Sequence, residues 1–94
     1  MTKLSESEIN NKLADCPEWT EVNGEITRTY QFNDFNESMV FVTKVAGYAE
    51  DAQHHPDILI RYNKVTLTVS THDAGGITQK DFDLAAKAEE LANA

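Results

Sequence analysis

Ninety-four residues with 40% hydrophobic side chains, four glycines and two prolines suit one globular domain over residues 1–94, and argue against a disordered or low-complexity chain. Sixteen acidic against eight basic residues leave a formal charge of -8, which repels the phosphates of nucleic acids and anionic lipids and argues against direct binding to either. The single cysteine, Cys16, allows no internal disulfide, the N-terminal stretch has no apolar run of signal-peptide length, and no run of about 18 apolar residues suggests a membrane span, so the expected setting is the cytoplasm.

In "LSESEINNKL", Ser5 stands three residues before Glu8, the spacing at which each side chain satisfies the other's backbone N–H in a capping box. With Leu4 and Ile9 placed as a hydrophobic staple, a short helix is predicted over residues 6–14. Cys16-Pro17 ends it, because proline disfavours helical geometry in the residue before it. In "WTEVNGEITRTYQF", Asn23-Gly24 suits a type I′ hairpin turn, and two-residue alternation then puts Trp19, Ile26, Tyr30 and Phe32 on one core-facing side.

From Asn33 the period changes. Phe35, Met39, Val42, Ala46 and Ala49 recur every three or four residues as the stripe of a long helix, N-capped by Asp34 or Asn33, with Glu37 placed to close a capping box on Asp34. That helix delivers the chain to His54. "DILIRYNKVTLTVSTH" reads as a second hairpin turning at Asn63-Lys64, which sets Tyr62 against Val65, Ile60 against Leu67 and Ile58 against Val69. Carried outward, the same register sets His55 against His72. Tyr62 then belongs to the hairpin's apolar face, and Pro56 opens the strand where its missing N–H costs least.

Gly75-Gly76 make a turn, Thr78 caps a last helix running to about residue 92, and Asp81 occupies its capping-box position. The order helix, hairpin, helix, hairpin, helix implies an α+β fold of two layers, a four-stranded, mostly antiparallel sheet with helices packed on one face. Leu59 on the uncovered face and the open sheet edges lead to an expectation of self-association, as a homodimer or homotetramer.

All three histidines of the chain, His54, His55 and His72, fall at the two ends of the second hairpin. Zinc binding by them is an alternative, with Glu50, Asp51, Asp57 or Asp73 to complete the ligands, but neighbouring residues on an extended segment point to opposite sides, which argues against His54 and His55 sharing an ion. Nucleophilic catalysis has no support, since Cys16 lies far off in sequence and no G-x-S-x-G elbow exists; the glycine pairs are turn chemistry, not a phosphate loop. General acid-base catalysis suits the cluster best, because imidazole exchanges protons near neutrality, its ordinary pKa being about 6.5.

Glu50, then His54-His55-Pro56, Tyr62, "STH" at 70–72 and Asp81 form a spaced set, and with "FNDFNES", "YNKVTLTVSTHDAGGIT" and "DFDLA" the chain resembles the pterin-4a-carbinolamine dehydratases. The resemblance implies an enzyme that eliminates water from 4a-hydroxytetrahydropterin, the product of an aromatic amino-acid hydroxylase, without a cofactor or metal. It implies further that His54 and His72 are the acid-base pair, that His55 binds and orients the pterin, and that Glu50 and Asp81 lie behind them or at the rim. The backbone around Ser70 and Thr71 would hydrogen-bond the flat ring. Which histidine is acid and which base stays open, and Asp81 reads equally as helix cap or as part of the chemistry. Gln53 and Lys80 depart from the family pattern, where an acidic residue and an arginine are frequent. Because some animal members act as dimerisation cofactors of a transcription factor, a regulatory binding protein without essential catalysis is the competing class.

Overall fold

The computed structural model describes residues 2–93. Its elements run α1 (Glu6–Leu13), β1 (Thr20–Val22), β2 (Glu25–Gln31), α2 (Phe35–Ala52), β3 (Asp57–Arg61), β4 (Lys64–Val69), a 3₁₀ turn (His72–Ala74) and α3 (Gln79–Ala92). The four strands form one sheet in the order β1-β2-β4-β3, antiparallel throughout, with the helices against one face. This is the α+β architecture the alternation of periods predicts.

The local signals act where they are written. Ser5 and Glu8 close the box at α1 with bonds of 3.1 and 2.9 Å, and Leu4 and Ile9 both pack on the core. Asn23 and Gly24 carry φ of 53° and 82°, the positive values a type I′ turn needs, and set Val22 against Glu25. Trp19, Ile26 and Tyr30 are buried and Phe32 is half-buried, as alternation requires. The same alternation puts Arg28 on the core face, which the apolar pattern passes over. Its guanidinium lies 4.0 Å over the Tyr30 ring and pairs with Glu89 of α3, so its stem packs while its charge is matched.

Three expectations need correction. First, Glu37 does not close a box on Asp34: Asp34 accepts from the Glu37 N–H at 2.8 Å, but the Glu37 carboxylate reaches one residue further back, to the N–H of Asn33 at 3.0 Å. Second, α2 is rotated relative to the predicted stripe. Of the predicted stripe Ala49 is buried and Val42 packs on the core, but Phe35 is 50% exposed, Met39 36% and Ala46 exposed, while Ser38, Phe41 and Val45 take the other buried positions. Two apolar stripes of similar spacing run along this helix, and the choice between them falls to Phe41, whose ring meets Tyr30 and Phe32 at 4.9 and 5.1 Å between centroids.

Third, the second hairpin turns at Tyr62-Asn63, not Asn63-Lys64. Arg61 faces Lys64, Ile60 faces Val65 and Ile58 faces Leu67, a shift of two residues that keeps the side chains of β3 and β4 on their predicted faces. The reason lies outside the hairpin. Asn63 is bonded to the end of β2, its carbonyl accepting from the Phe32 N–H at 2.7 Å and its amide donating to the Phe32 carbonyl at 3.1 Å, which extends the β2–β4 ladder through this position. Tyr62 is left in the turn with φ of 54°, 63% exposed, and is not part of the apolar face. A bulky residue there costs on the order of 1 kcal/mol, which the ladder outweighs.

Among the described residues, the Tyr30 hydroxyl and Trp19 Nε1 are buried without a hydrogen-bond partner. Burial pushes the Tyr30 phenol up from its usual pKa, against the pull of the Arg28 charge. Burial costs the hydroxyl its solvation and only poorly aligned contacts with Trp19 and Arg28 offset that, so Tyr30→Phe should leave stability unchanged or raise it by up to about 1 kcal/mol. It should also extend stability at high pH: the neutral phenol is favoured on folding, a contribution present below the unfolded pKa and lost as pH climbs through the raised folded one. Urea midpoints at neutral and alkaline pH check both, and a clear loss at neutral pH would show that the hydroxyl is satisfied.

Candidate active site

At one end of the sheet four pieces of chain meet: the end of α2, the exit of β4, the start of α3 and the β1–β2 turn. Helix α2 stops because Gln53 takes the left-handed conformation, φ 52°, a place usually given to glycine. Its N–H and that of His54 return to the carbonyls of Glu50 and Ala49, at 3.2 and 3.0 Å. The Gln53 side chain donates to the Glu50 carbonyl at 2.7 Å. This reversal sends two adjacent histidines into opposite surroundings.

His54 turns inward. Its side chain is 11% exposed, and Nε2 lies 2.6 Å from Oδ1 of Asp81, a fully buried carboxylate in the first turn of α3. The other Asp81 oxygen accepts from the Thr78 N–H at 2.8 Å and the Thr71 hydroxyl at 2.9 Å. Thr71 and Thr78 hydroxyls are themselves 2.8 Å apart, and the Lys80 N–H donates to Thr78 Oγ1 at 3.2 Å. A buried carboxylate tolerates desolvation only when its lone pairs are occupied, and here the helix N-terminus adds a favourable field. The two readings of Asp81 therefore both hold geometrically: one oxygen caps α3 and the other holds His54.

His55 turns outward, with Nε2 at 2.5 Å from Oε2 of Glu50, one turn back on α2; both side chains are more than half exposed. His72 opens the 3₁₀ turn, is exposed, and has no ion-pair partner among the described residues. Its loop is closed by Thr71 and Gly76, whose N–H groups donate to each other's carbonyls at 2.9 and 3.3 Å, and Gly75 supplies the required positive φ of 76°.

The predicted meeting of His55 and His72 across the hairpin does not occur. Carried outward, the observed register would set position 55 against 70, and β4 ends at Val69, before His72 leaves the sheet. A side-chain path runs from His54 to Asp81 to Thr71, one residue before His72; His55 is not on it. The Thr71 N–H and carbonyl are both engaged by the loop, so its contribution here is the hydroxyl. Thr78 and that hydroxyl were not among the predicted site residues; a threonine three residues before a buried aspartate is visible in sequence as a cap, but its second partner is not.

Ser70, Thr71, His72, Gly75 and Gly76 line a pocket of about 360 Å³ together with Asn23, Gly24 and Glu25 at the β1–β2 turn; His54 and His55 are not among its lining residues. A larger, more open hollow of about 580 Å³ lies at the other end of β4, at Arg61–Lys64, and holds none of the histidines. Lys80 is exposed in the first turn of α3. Among the described residues no three His, Cys, Asp or Glu side chains gather as a metal ion would need, and no helix is long and apolar enough to cross a membrane.

Residues 2–91 match the family model described as pterin 4 alpha carbinolamine dehydratase. A Picosynechococcus protein named "Putative pterin-4-alpha-carbinolamine dehydratase" is 51% identical over 90 residues, covering 96% of this chain and 98% of its own. One of the same name from Chloroflexus aurantiacus is 54% identical over 91 residues, covering 97% and 98%. The crystal structure of a transcriptional coactivator/pterin dehydratase from Brucella melitensis superposes with a TM-score of 0.93 at 36% identity, over 97% of this chain and 99% of that one. A match of this extent, in sequence and in backbone, leaves one assignment: the chain belongs to the pterin 4 alpha carbinolamine dehydratase family.

Proposed function

We propose that this chain eliminates water from 4a-hydroxytetrahydropterin and yields the quinonoid dihydropterin, returning the pterin used by an aromatic amino-acid hydroxylase. The observation that carries the reading is the path from His54 through Asp81 to Thr71, whose neighbour His72 lines the pocket and, among the described residues, is paired with no carboxylate. In the reaction the C4a–O bond breaks, the hydroxyl leaving as water with a proton from a general acid. The N5 lone pair forms the C4a–N5 double bond, and a general base takes the N5 proton. No electron is gained or lost, so the chemistry calls for no cofactor. Each positioned proton transfer contributes roughly 10²- to 10⁴-fold.

His54 and His72 are the acid-base pair in this reading. Because Nε2 of His54 is spent on Asp81, any proton it exchanges with a ligand passes through Nδ1. His55, anchored on Glu50, binds and orients the ring; Ser70 and Thr71 form the wall beside it. Glu50 and Asp81 act through the histidines. The cytoplasm is the setting proposed, consistent with the unpaired Cys16. Self-association belongs to the same proposal: β3 is an edge strand with Leu59 55% exposed, and Phe35 and Val40 of α2 are each 50% exposed. Light scattering should give the mass of two or four 10.5 kDa chains, and a monomer at micromolar concentration would remove this part. The name of the Brucella protein also mentions a coactivator, and the same apolar α2 surface is what a regulatory binding role would use.

His72→Ala should slow dehydration by at least about 100-fold with the thermal midpoint unchanged, since the side chain is exposed. Wild-type protein no faster than buffer would end the enzymatic reading and leave the regulatory one. Asp81→Asn should lower stability by about 2–4 kcal/mol, read by urea unfolding, because a buried network loses its acceptor. Nitrogen NMR should also show the His54 Nε2 proton of the wild type lost or redistributed in the variant; an unchanged spectrum would mean that Asp81 does not hold the ring.

A further inference from the structure

The pocket that holds His72 has a second ionisable wall residue, Glu25, and neither the family pattern nor the reading above uses it. Glu25 is the first residue of β2, directly after the left-handed Gly24, so the turn geometry fixes where its Cα stands. It is half-buried on the sheet face away from the helices, beside Ser70, the residue that follows β4. Its Oε2 accepts one long bond, 3.4 Å, from the Ser70 hydroxyl. Among the described residues it has no cationic partner. An ionised carboxylate accepts about four hydrogen bonds, so most of its capacity is unused, in a chain that carries -8 overall and gains nothing from one more bare anion at that spot.

Resting on the proposed dehydratase reading, we infer that Glu25 recognises the ligand: its carboxylate accepts from the ring N3–H and the 2-amino group of the pterin. These two donors lie side by side on one edge of the pyrimidine ring and match a carboxylate in bidentate fashion, as a guanidinium does. Carbon 2 lies across that ring from C4a. A ligand held by this edge at Glu25 therefore directs C4a and N5 away from that carboxylate, and His72 lines the same pocket two residues beyond the Ser70 that Glu25 touches. A pocket of about 360 Å³ falls at the low end of small-molecule sites, adequate for a flat bicyclic ring. Glu25 is then a specificity-determining contact, selecting 2-amino-4-oxo heterocycles over analogues that lack the amino donor.

The test compares wild type, Glu25→Gln and Glu25→Ala in dehydration of 4a-hydroxytetrahydropterin, and in equilibrium binding of 7,8-dihydropterin and of its analogue without the 2-amino group. Glu25→Gln keeps one acceptor but not the charge; it should raise KM and weaken dihydropterin binding by at least about tenfold, more than it lowers kcat. Wild type should prefer dihydropterin to the deaminated analogue, and Glu25→Ala should erase the preference. An active wild type whose Glu25→Gln variant keeps its KM and its preference overturns this inference alone. A wild type that neither dehydrates nor binds dihydropterin overturns the dehydratase reading and this one with it.

Discussion

Asp81 is the point on which the functional end of the molecule depends. A carboxylate with no solvent exposure would cost several kcal/mol if left unpaired, so the surroundings must supply donors, and they come from three different parts of the chain. Thr78 contributes its backbone N–H from the cap of α3, Thr71 its hydroxyl from the end of β4, and His54 its ring from the end of α2. Meeting the needs of one buried anion thus fixes how two helix termini and a strand exit sit together. The arrangement cannot relax without exposing or orphaning a charge.

The left-handed Gln53 plays the complementary part on the other side. By ending α2 with a reversal it lets adjacent residues diverge, so that His54 is enclosed and His55 meets water and Glu50. Side chains of one type thereby acquire three settings: a buried pair, an exposed pair, and His72 with no ion-pair partner among the described residues. The proposed acid-base chemistry would use such inequality, because donor and acceptor must differ in the proton they hold when the ligand arrives.

The departures from expectation share a cause. The apolar stripe of α2 and the register of the second hairpin are both periodic patterns, and a periodic pattern leaves its phase open when a second solution serves as well. Phe35 and Met39 have nearly the spacing of Phe41 and Val45; Asn63-Lys64 is as plausible a turn as Tyr62-Asn63. In each case the decision falls to contacts from elsewhere in the chain, the aromatic cluster of β2 for the helix and the Phe32 pairing for the hairpin.

By itself the sequence determines what is local. Helix caps at Ser5, Asp34 and Thr78, the Asn23-Gly24 turn, and alternation along β2 are set by residues within a few positions of each other, and their physics acts before any tertiary contact forms. The spaced histidines and acids also identify the family, since their order along the chain is itself the signature. Tertiary structure alone decides which of those groups touch. Asp81 could cap a helix without meeting His54, Arg28 could face the core without meeting Glu89, and His72 could face His55 or leave the strand. Such outcomes turn on burial and on matching charges across more than 25 residues of chain, as between His54 and Asp81, and no nearest-neighbour spacing encodes them.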